Sequence, residues 1–269
     1  MVSELLYVVR ALTLPSISSE SHREFAMPSR IFLAGAGGAV GRRLVPLLRD
    51  AGHQVFGTTR DPAKAEVLRR LGAEPVVVDV FDTLALYRAV TAARPEVVIH
   101  QLTDLPPCLD PARMAEAAPR NARIRSEGTR NLVAAAREAG ARRLIAQSIA
   151  WVYRPGTPPY AEDQPLDRSP DNPRRVSIDG VAALETQVLH TPPFEGIVLR
   201  YGQFYGPGTG IDAPPAPGSV HVDAAAQAAL LAVDRGRRGI FNVAEPGGPA
   251  LVEKAVRELG WDAGFRLPG

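Results

Sequence analysis

The stretch Ile31-Phe32-Leu33-Ala34-Gly35-Ala36-Gly37-Gly38-Ala39-Val40-Gly41 constrains this chain more than any other. A short apolar run enters glycines at 35, 38 and 41, and Leu44, Val45, Leu47 and Leu48 behind them recur at helical spacing. The pattern is a strand, a glycine turn and a helix. Glycine serves where the chain must turn at positive φ, where backbone must approach a pyrophosphate, and where helix and strand pack closely. The N-terminus of such a helix has unpaired N–H groups and the positive end of its dipole. Gly35, Gly37, Gly38, Ala39, Val40 and Gly41 are therefore the expected phosphate-binding stretch of a dinucleotide site.

The rest of the chain repeats this strand-then-helix rhythm. The first helix should end at Gly52, a residue suited to a left-handed cap, and Pro46 inside it predicts a kink or an irregular first turn. A second strand, 54–58, runs into Asp61-Pro62, an N-cap followed by proline at the first helical position. A third strand, 75–79, is a valine run of the kind buried on both faces of a parallel sheet. Asp82 should cap the next helix, with Leu86, Ala89, Val90 and Ala93 on its packing side. The fourth strand, 96–100, ends at His100, read as a packed or hydrogen-bonded core residue before a base. One long helix is predicted over 121–140, then a fifth strand at 142–147 and a proline-rich surface lid or substrate loop at 155–173. A helix at 176–190, a sixth strand at 196–200, a helix opened by His221-Val222-Asp223, a strand at 240–243 and a helix at 251–259 complete the pattern.

Such alternation predicts an α/β fold: a Rossmann-type doubly wound parallel sheet with right-handed crossovers and a small C-terminal substrate lobe. The expected division is an extension over residues 1–29, disordered or an artefact of start-codon choice, a nucleotide-binding domain over 30–200, and the lobe over 201–269 interleaved with the 153–175 loop. The first segment is interrupted by Glu4 and Arg10 and lacks a basic leader region.

Charged residues make up 22% of the chain and nearly cancel to +2, which argues against nucleic acid or a membrane surface as partner. A small molecule is the expected partner. Cys108 is the sole cysteine, so a disulfide framework and a cysteine zinc cluster are excluded, no metal site is expected, and a reducing, cytoplasmic setting fits.

At the tip of the second strand an acidic residue would grip the ribose 2′-hydroxyl of NAD, whereas arginine suits a 2′-phosphate. Here stands Arg60, with Lys64 a turn later and Arg42 and Arg43 beside the glycine turn, so NADP(H) is expected over NAD(H).

Together with Asp79-Val80, Glu127-Gly128-Thr129-Arg130-Asn131-Leu132, Leu199-Arg200-Tyr201-Gly202, Tyr205-Gly206-Pro207-Gly208 and His221-Val222-Asp223, the glycines resemble the extended and atypical short-chain dehydrogenase/reductase superfamily, in its NAD-dependent epimerase/dehydratase branch. The resemblance covers nearly all of residues 30–265. It implies that Asp79 and Val80 contact the adenine side of the cofactor, that Gln101, Leu102 and Thr103 line it after the fourth strand, and that Ser148 occupies the catalytic serine or threonine position. It also implies a Tyr-x-x-x-Lys pair, in which lysine lowers the tyrosine pKa. Anchored on Glu185, those positions hold Ser177 and Val181, and no tyrosine or lysine lies between Ala161 and Tyr201. Tyr153 is the first candidate to replace the missing acid, with Gln147, Ser177, Asp179 and Tyr201 behind it.

The expected activity is that of an atypical NAD(P)-dependent oxidoreductase or epimerase/dehydratase-like enzyme on a small polar or carbonyl-bearing metabolite, sugar-nucleotide-like compounds included. The alternative is a non-catalytic NAD(P)-binding redox sensor. A homodimer through Ile124, Leu132 and the small residues at 133–136 is compatible with the pattern, as is burial of these residues in the chain's own core.

Overall fold

The computed structural model describes residues 28–268, so the extension expected over 1–29 lies, except for Pro28 and Ser29, outside the described residues. In chain order the elements begin with β1 (Arg30–Ala34), α1 (Ala39–Asp50), β2 (Gln54–Thr59), α2 (Ala65–Leu71), β3 (Glu74–Val77), α3 (Thr83–Ala93) and β4 (Val97–His100). There follow α4 (Pro111–Arg123), a π-helical turn (Ile124–Gly128), α5 (Thr129–Glu138), β5 (Arg143–Ile149), α6 (Arg175–His190) and β6 (Glu195–Tyr201). The chain closes with β7 (Phe204–Tyr205), β8 (Val220–His221), α7 (Val222–Asp234), β9 (Gly239–Val243) and a last π-helical turn (Ala255–Leu259).

Seven strands form one parallel sheet in the order β3-β2-β1-β4-β5-β6-β9. Strand order reverses between β1 and β4, which opens a crevice at their C-terminal ends. Alternate residues feed two cores. Ile31 and Leu33 of β1 point to one side, with Leu44 and Leu48 of α1, Leu68 of α2 and the alanines of α7. Phe32 and Ala34 point to the other, with Leu86 and Val90 of α3, Leu132 of α5 and Leu184 of α6. Leu132, Val133, Ala135 and Ala136, read above as able to serve a dimer, are spent in this second core.

Local capping follows the sequence signals closely. Asp61 accepts from Ala63 N at 2.9 Å, Asp82 from Ala85 N at 3.0 Å, and the His221 ring from Asp223 N at 3.2 Å. Gly52 takes the left-handed conformation beyond α1, and α1 itself runs unbroken through Pro46.

Three expectations need correction. β3 is an edge strand with half-exposed residues, Val77 being 51% exposed, so its valines are not buried on both faces. A chain segment cannot reveal from its own apolarity that nothing will pair with its far edge. The long helix starts at Pro111, not near residue 121, because Asp110 caps it by accepting from Ala112 N at 3.0 Å and Pro111 sits at its first position. Finally, the segment expected as a separate lobe also serves the main sheet: β9 pairs with β6, and α7 packs along α1.

Candidate functional site

Two cavities meet above the C-terminal ends of the strands. The larger, about 530 Å³, surrounds the glycine turn. Gly35 (φ +93°) is packed so tightly that a Cβ would lie 2.7 Å from the Gln101 carbonyl, and a Cβ on Gly41 would lie 2.4 Å from Gly35 O. Around Gly37, by contrast, a Cβ would meet nothing within 4 Å. The turn is locked below and open above. Thr58 Oγ1 accepts from Gly35 N at 3.1 Å, and Arg42 Nε donates to Gly37 O at 3.1 Å. No side chain caps α1 at Gly38 and no acidic residue stands in its first turn, so its N–H groups and dipole face the cleft unopposed.

Of the residues expected to bind cofactor, Gly35, Gly37, Gly38, Arg60, Val80, Leu102 and Thr103 line this cleft. Lys64 lines it too, whereas Arg43 is turned away into a salt bridge with Asp223 that ties α1 to α7. Ala39, Val40 and Gly41 stand just behind the lining, in the first turn of α1. Asp79 does not reach the lining: its Oδ1 accepts from Phe81 N at 2.9 Å and so holds the turn that presents Val78, Val80 and Phe81. Gln101 is also behind the wall, 5% exposed, against the Tyr201 hydroxyl yet with neither amide atom hydrogen-bonded. Thr58, Thr59, Val78, Phe81 and Leu105 are lining residues that the glycine spacing did not reveal, although their place at strand ends was a signal.

His100 is a core residue. Its Nε2 lies 3.0 Å from Thr129 Oγ1, and its Nδ1 accepts from Leu102 N at 3.2 Å. Complete burial, helped by the nearby Arg125 charge, pulls its pKa from 6.5 down to about 4, so it is neutral.

The second cavity, about 300 Å³, adjoins the first, with Leu105 in the wall of both. Leu109, Met114, Ile149, Trp151 and Phe204 give it apolar walls; Asn121, Arg125, Gln147, Ser148 and Ser177 bring polar groups. Much of one wall comes from α4, the segment whose helical start the sequence reading missed. The proline-rich 155–173 loop contributes only Pro173 to it, because the loop is pinned elsewhere: Tyr160 N donates to Pro249 O at 2.7 Å and Leu251 N to Tyr160 O at 2.9 Å.

Ser148 is 1% exposed and donates to Glu185 Oε1 at 2.8 Å. Arg200 clamps the same carboxylate through Nε to Oε1 at 2.8 Å and Nη2 to Oε2 at 2.7 Å. Burial pulls the Arg200 pKa down, but the bonds and charge of Glu185 outweigh it and hold the guanidinium above the ordinary arginine value. Tyr153 does not line the cavity. Its ring stacks on Tyr160 and beside Arg200, and its hydroxyl donates to the buried Asn242 Oδ1. Burial raises its pKa, which opposes phenolate formation. The residue expected as a substitute acid thus faces the β9 side, since its position after β5 said nothing about the partner awaiting its hydroxyl. Asp179 is likewise spent, on Arg168 and Arg175. Ser177 lines the cavity, and Val181 is fully buried in an apolar cluster with Ile149, Val152 and Ile178.

A parallel sheet with a glycine-lined crevice at its switch point defines a dinucleotide-binding protein of the Rossmann type. Comparison with known proteins agrees: the chain matches the family model described as NAD(P)H-binding over residues 35–175, and it belongs to that family. Among curated relatives, the 3-diazoavenalumate denitrifying reductase of a Streptomyces species is 41% identical over 237 residues, 80% of this chain and 76% of that protein. The dTDP-4-dehydrorhamnose reductase of Streptomyces griseus is 31% identical over 184 residues, 66% of this chain but only 51% of that protein. In fold the chain resembles the UDP-glucose 4-epimerase of Thermotoga maritima, solved with UDP-glucose (TM-score 0.72, 19% identity, 88% of this chain and 94% of that one). It also resembles the Bordetella bronchiseptica enzyme WbmG in complex with NAD (TM-score 0.67, 23% identity, 89% and 90%). Among the described residues no helix is long and apolar enough to cross a membrane, and no cluster of metal-ligating side chains occurs.

The residues present fit an NAD(P) cofactor. The uncapped N-terminus of α1 and the open Gly37 suit its pyrophosphate, Arg60 and Lys64 the adenosine ribose end, and Val78, Val80 and Phe81 the adenine face. When bound, that cofactor supplies hydride exchange; the chain's own residues bind it and orient what lies beside it.

Proposed function

We propose that this protein is an NAD(P)H-dependent reductase, with NADPH preferred, whose substrate sits in the apolar cavity beside the nucleotide cleft and accepts hydride without a proton from a protein acid. The observation that carries the reading is the largely apolar cavity; at the positions that the family resemblance would give to an acid–base pair the chain has Ser177 and Val181, the latter sealed in an apolar cluster. Reduction of a carbonyl creates an alkoxide that must be protonated, and a positioned acid contributes about 10²–10⁴-fold to that step. An aryl diazonium cation makes no such demand: it takes hydride and releases N₂, exchanging its C–N bond for a C–H bond, while NAD(P)H becomes NAD(P)⁺ and the charge balances with no added proton. The relative named as a denitrifying reductase of a diazo compound supports this class of acceptor. The sugar-nucleotide substrates expected from the family resemblance are less favoured, because the cavity walls are largely apolar.

In this reading residues 30–200 hold the cofactor, the remainder completes the substrate side, and the protein works in the cytoplasm. Candidate catalytic roles rest on the cavity-lining polar groups, with Ser148 acting through its bond to Glu185 as a positioning residue.

The test is a calorimetric titration with NADPH and NADH, followed by assay of NADPH consumption and N₂ release with an aryl diazonium carboxylic acid. Arg60→Ala should weaken NADPH about tenfold, as expected for loss of one charge-assisted contact, and leave NADH unchanged. Equal affinity for both cofactors in wild type removes the NADPH preference. Tight cofactor binding with no turnover of diazo or carbonyl compounds would favour the redox sensor instead.

A further inference from the structure

We infer that Arg125 is the anion-binding group of the apolar cavity, and that the cavity takes a flat, apolar monocarboxylate whose carboxylate pairs with this guanidinium. The inference rests on the reading of that cavity as the substrate site and adds the class of molecule it admits.

Among the described residues three arginines are buried, and two of them are saturated. Arg143 bonds Glu195 and the carbonyls of Ala232 and Arg235, and Arg200 bonds Glu185 and the carbonyl of Glu162. Arg125, 4% exposed, makes no hydrogen bond or ion pair with any described residue. Its side chain lines the cavity instead. A buried cation without a partner is costly, and a site with one is built to receive an anion. Burial pulls the Arg125 pKa down to about 10, still high enough to keep the guanidinium charged. Glu185, the nearby acid whose charge opposes that shift, is already committed to Arg200 and Ser148 and does not neutralise it by contact.

The backbone explains how Arg125 comes to face inward. It lies in the π-helical turn Ile124–Gly128, and such a turn inserts an extra residue and re-aims the side chains within it. On one side of the turn Ile124 lines the nucleotide cleft, while Arg125 lines the neighbouring cavity. Asn121, one helical turn earlier, also lines the cavity; its Oδ1 accepts from Asp104 N at 3.0 Å, which leaves its NH₂ group unbonded among the described residues. Gly180 lets α6 close onto this helix, for a Cβ there would lie 2.9 Å from Ala122 Cα, and so brings Ser177 to the same cavity. A planar guanidinium flanked by an amide and a hydroxyl, under apolar walls, matches a carboxylate on a flat apolar body.

The experiment uses the full chain saturated with NADP⁺ and two probes of equal shape, trans-cinnamate and cinnamamide, followed by calorimetry and by quenching of Trp151, which lines the cavity. Wild type should bind cinnamate at least about tenfold more tightly than cinnamamide. Arg125→Met should abolish that preference while leaving NADPH affinity within about twofold, and Arg125→Lys should restore part of it. Without ligand, Arg125→Met should melt at the same temperature as wild type or higher, because an unpaired buried charge has been removed. Equal affinity for the two probes, or no binding of either, overturns the inference. So does an Arg125→Met protein that melts lower and loses NADPH, since Arg125 would then be a structural residue. Cinnamate preference that survives without diazo turnover counts against the reductase reading alone; turnover without that preference counts against this inference alone.

Discussion

The two halves of the crevice are built on opposite principles. At the ends of β1 and β2 the backbone forms the site: glycines 35 and 41 are locked by carbonyls within 3 Å of any added Cβ, and the helix N-terminus faces an open cleft. At the ends of β5 and β6 side chains form it, and they differ in what they already hold: Ser148 is occupied by Glu185, whereas Arg125 bonds no described residue. A backbone site tolerates any neighbour that leaves the chain path intact. A side-chain site can be rewired residue by residue, and here Ser177 lines the cavity while Val181 is sealed in an apolar cluster.

The largest test of this contrast is Glu185→Ala. It strands Arg200 and Ser148 in the buried interior and should cost about 3–5 kcal/mol of stability, measured by urea unfolding. A loss below about 1 kcal/mol would mean the substrate half is not held by this network. In the nucleotide half, Gly41→Ala should cost about 1–3 kcal/mol by forcing the turn apart, and should abolish NADPH binding by calorimetry. Retained affinity would show that the turn is less closely fitted than its geometry implies.

A third test uses pH. His100 has a folded pKa of about 4 against 6.5 in the unfolded chain, so above pH 6.5 it is neutral in both states and affects nothing. As pH falls below 6.5 the unfolded state binds a proton that the folded state refuses, and stability is lost until about pH 4. Between pH 7 and pH 5 this should remove about 2 kcal/mol, a slope that His100→Gln should flatten in urea titrations. The smallest effect belongs to Tyr153→Phe. It leaves Asn242 Oδ1 without its donor and should cost about 1–2 kcal/mol, with turnover unchanged because the hydroxyl lies outside the cavity. A turnover loss of tenfold or more would return Tyr153 to the chemistry.

The same contrast explains what could be read in advance. Gly35, Gly38 and Gly41, the caps at Asp61 and Asp82, and the helix opened by His221 are local signals, decided by a few neighbouring residues and their backbone geometry. They were legible. The start of α4 was legible as well, in Asp110-Pro111, but was masked by the prolines around it. The exposure of Val77 was not, because it depends on which strand ends the sheet. Nor was the fate of Tyr153, whose hydroxyl meets a residue far along the chain, or of Arg125, whose isolation follows from a π turn and from a carboxylate already taken by another arginine.

The amino-acid order was therefore enough to establish a parallel α/β sheet with a glycine turn at its nucleotide cleft, since periodicity, glycine conformations and caps act over a few residues. Tertiary structure alone decided which polar side chains remain free to meet a substrate. A hydrogen-bonding group is committed or available according to what packing brings within about 3 Å of it, and that distance is set by elements far apart in the chain.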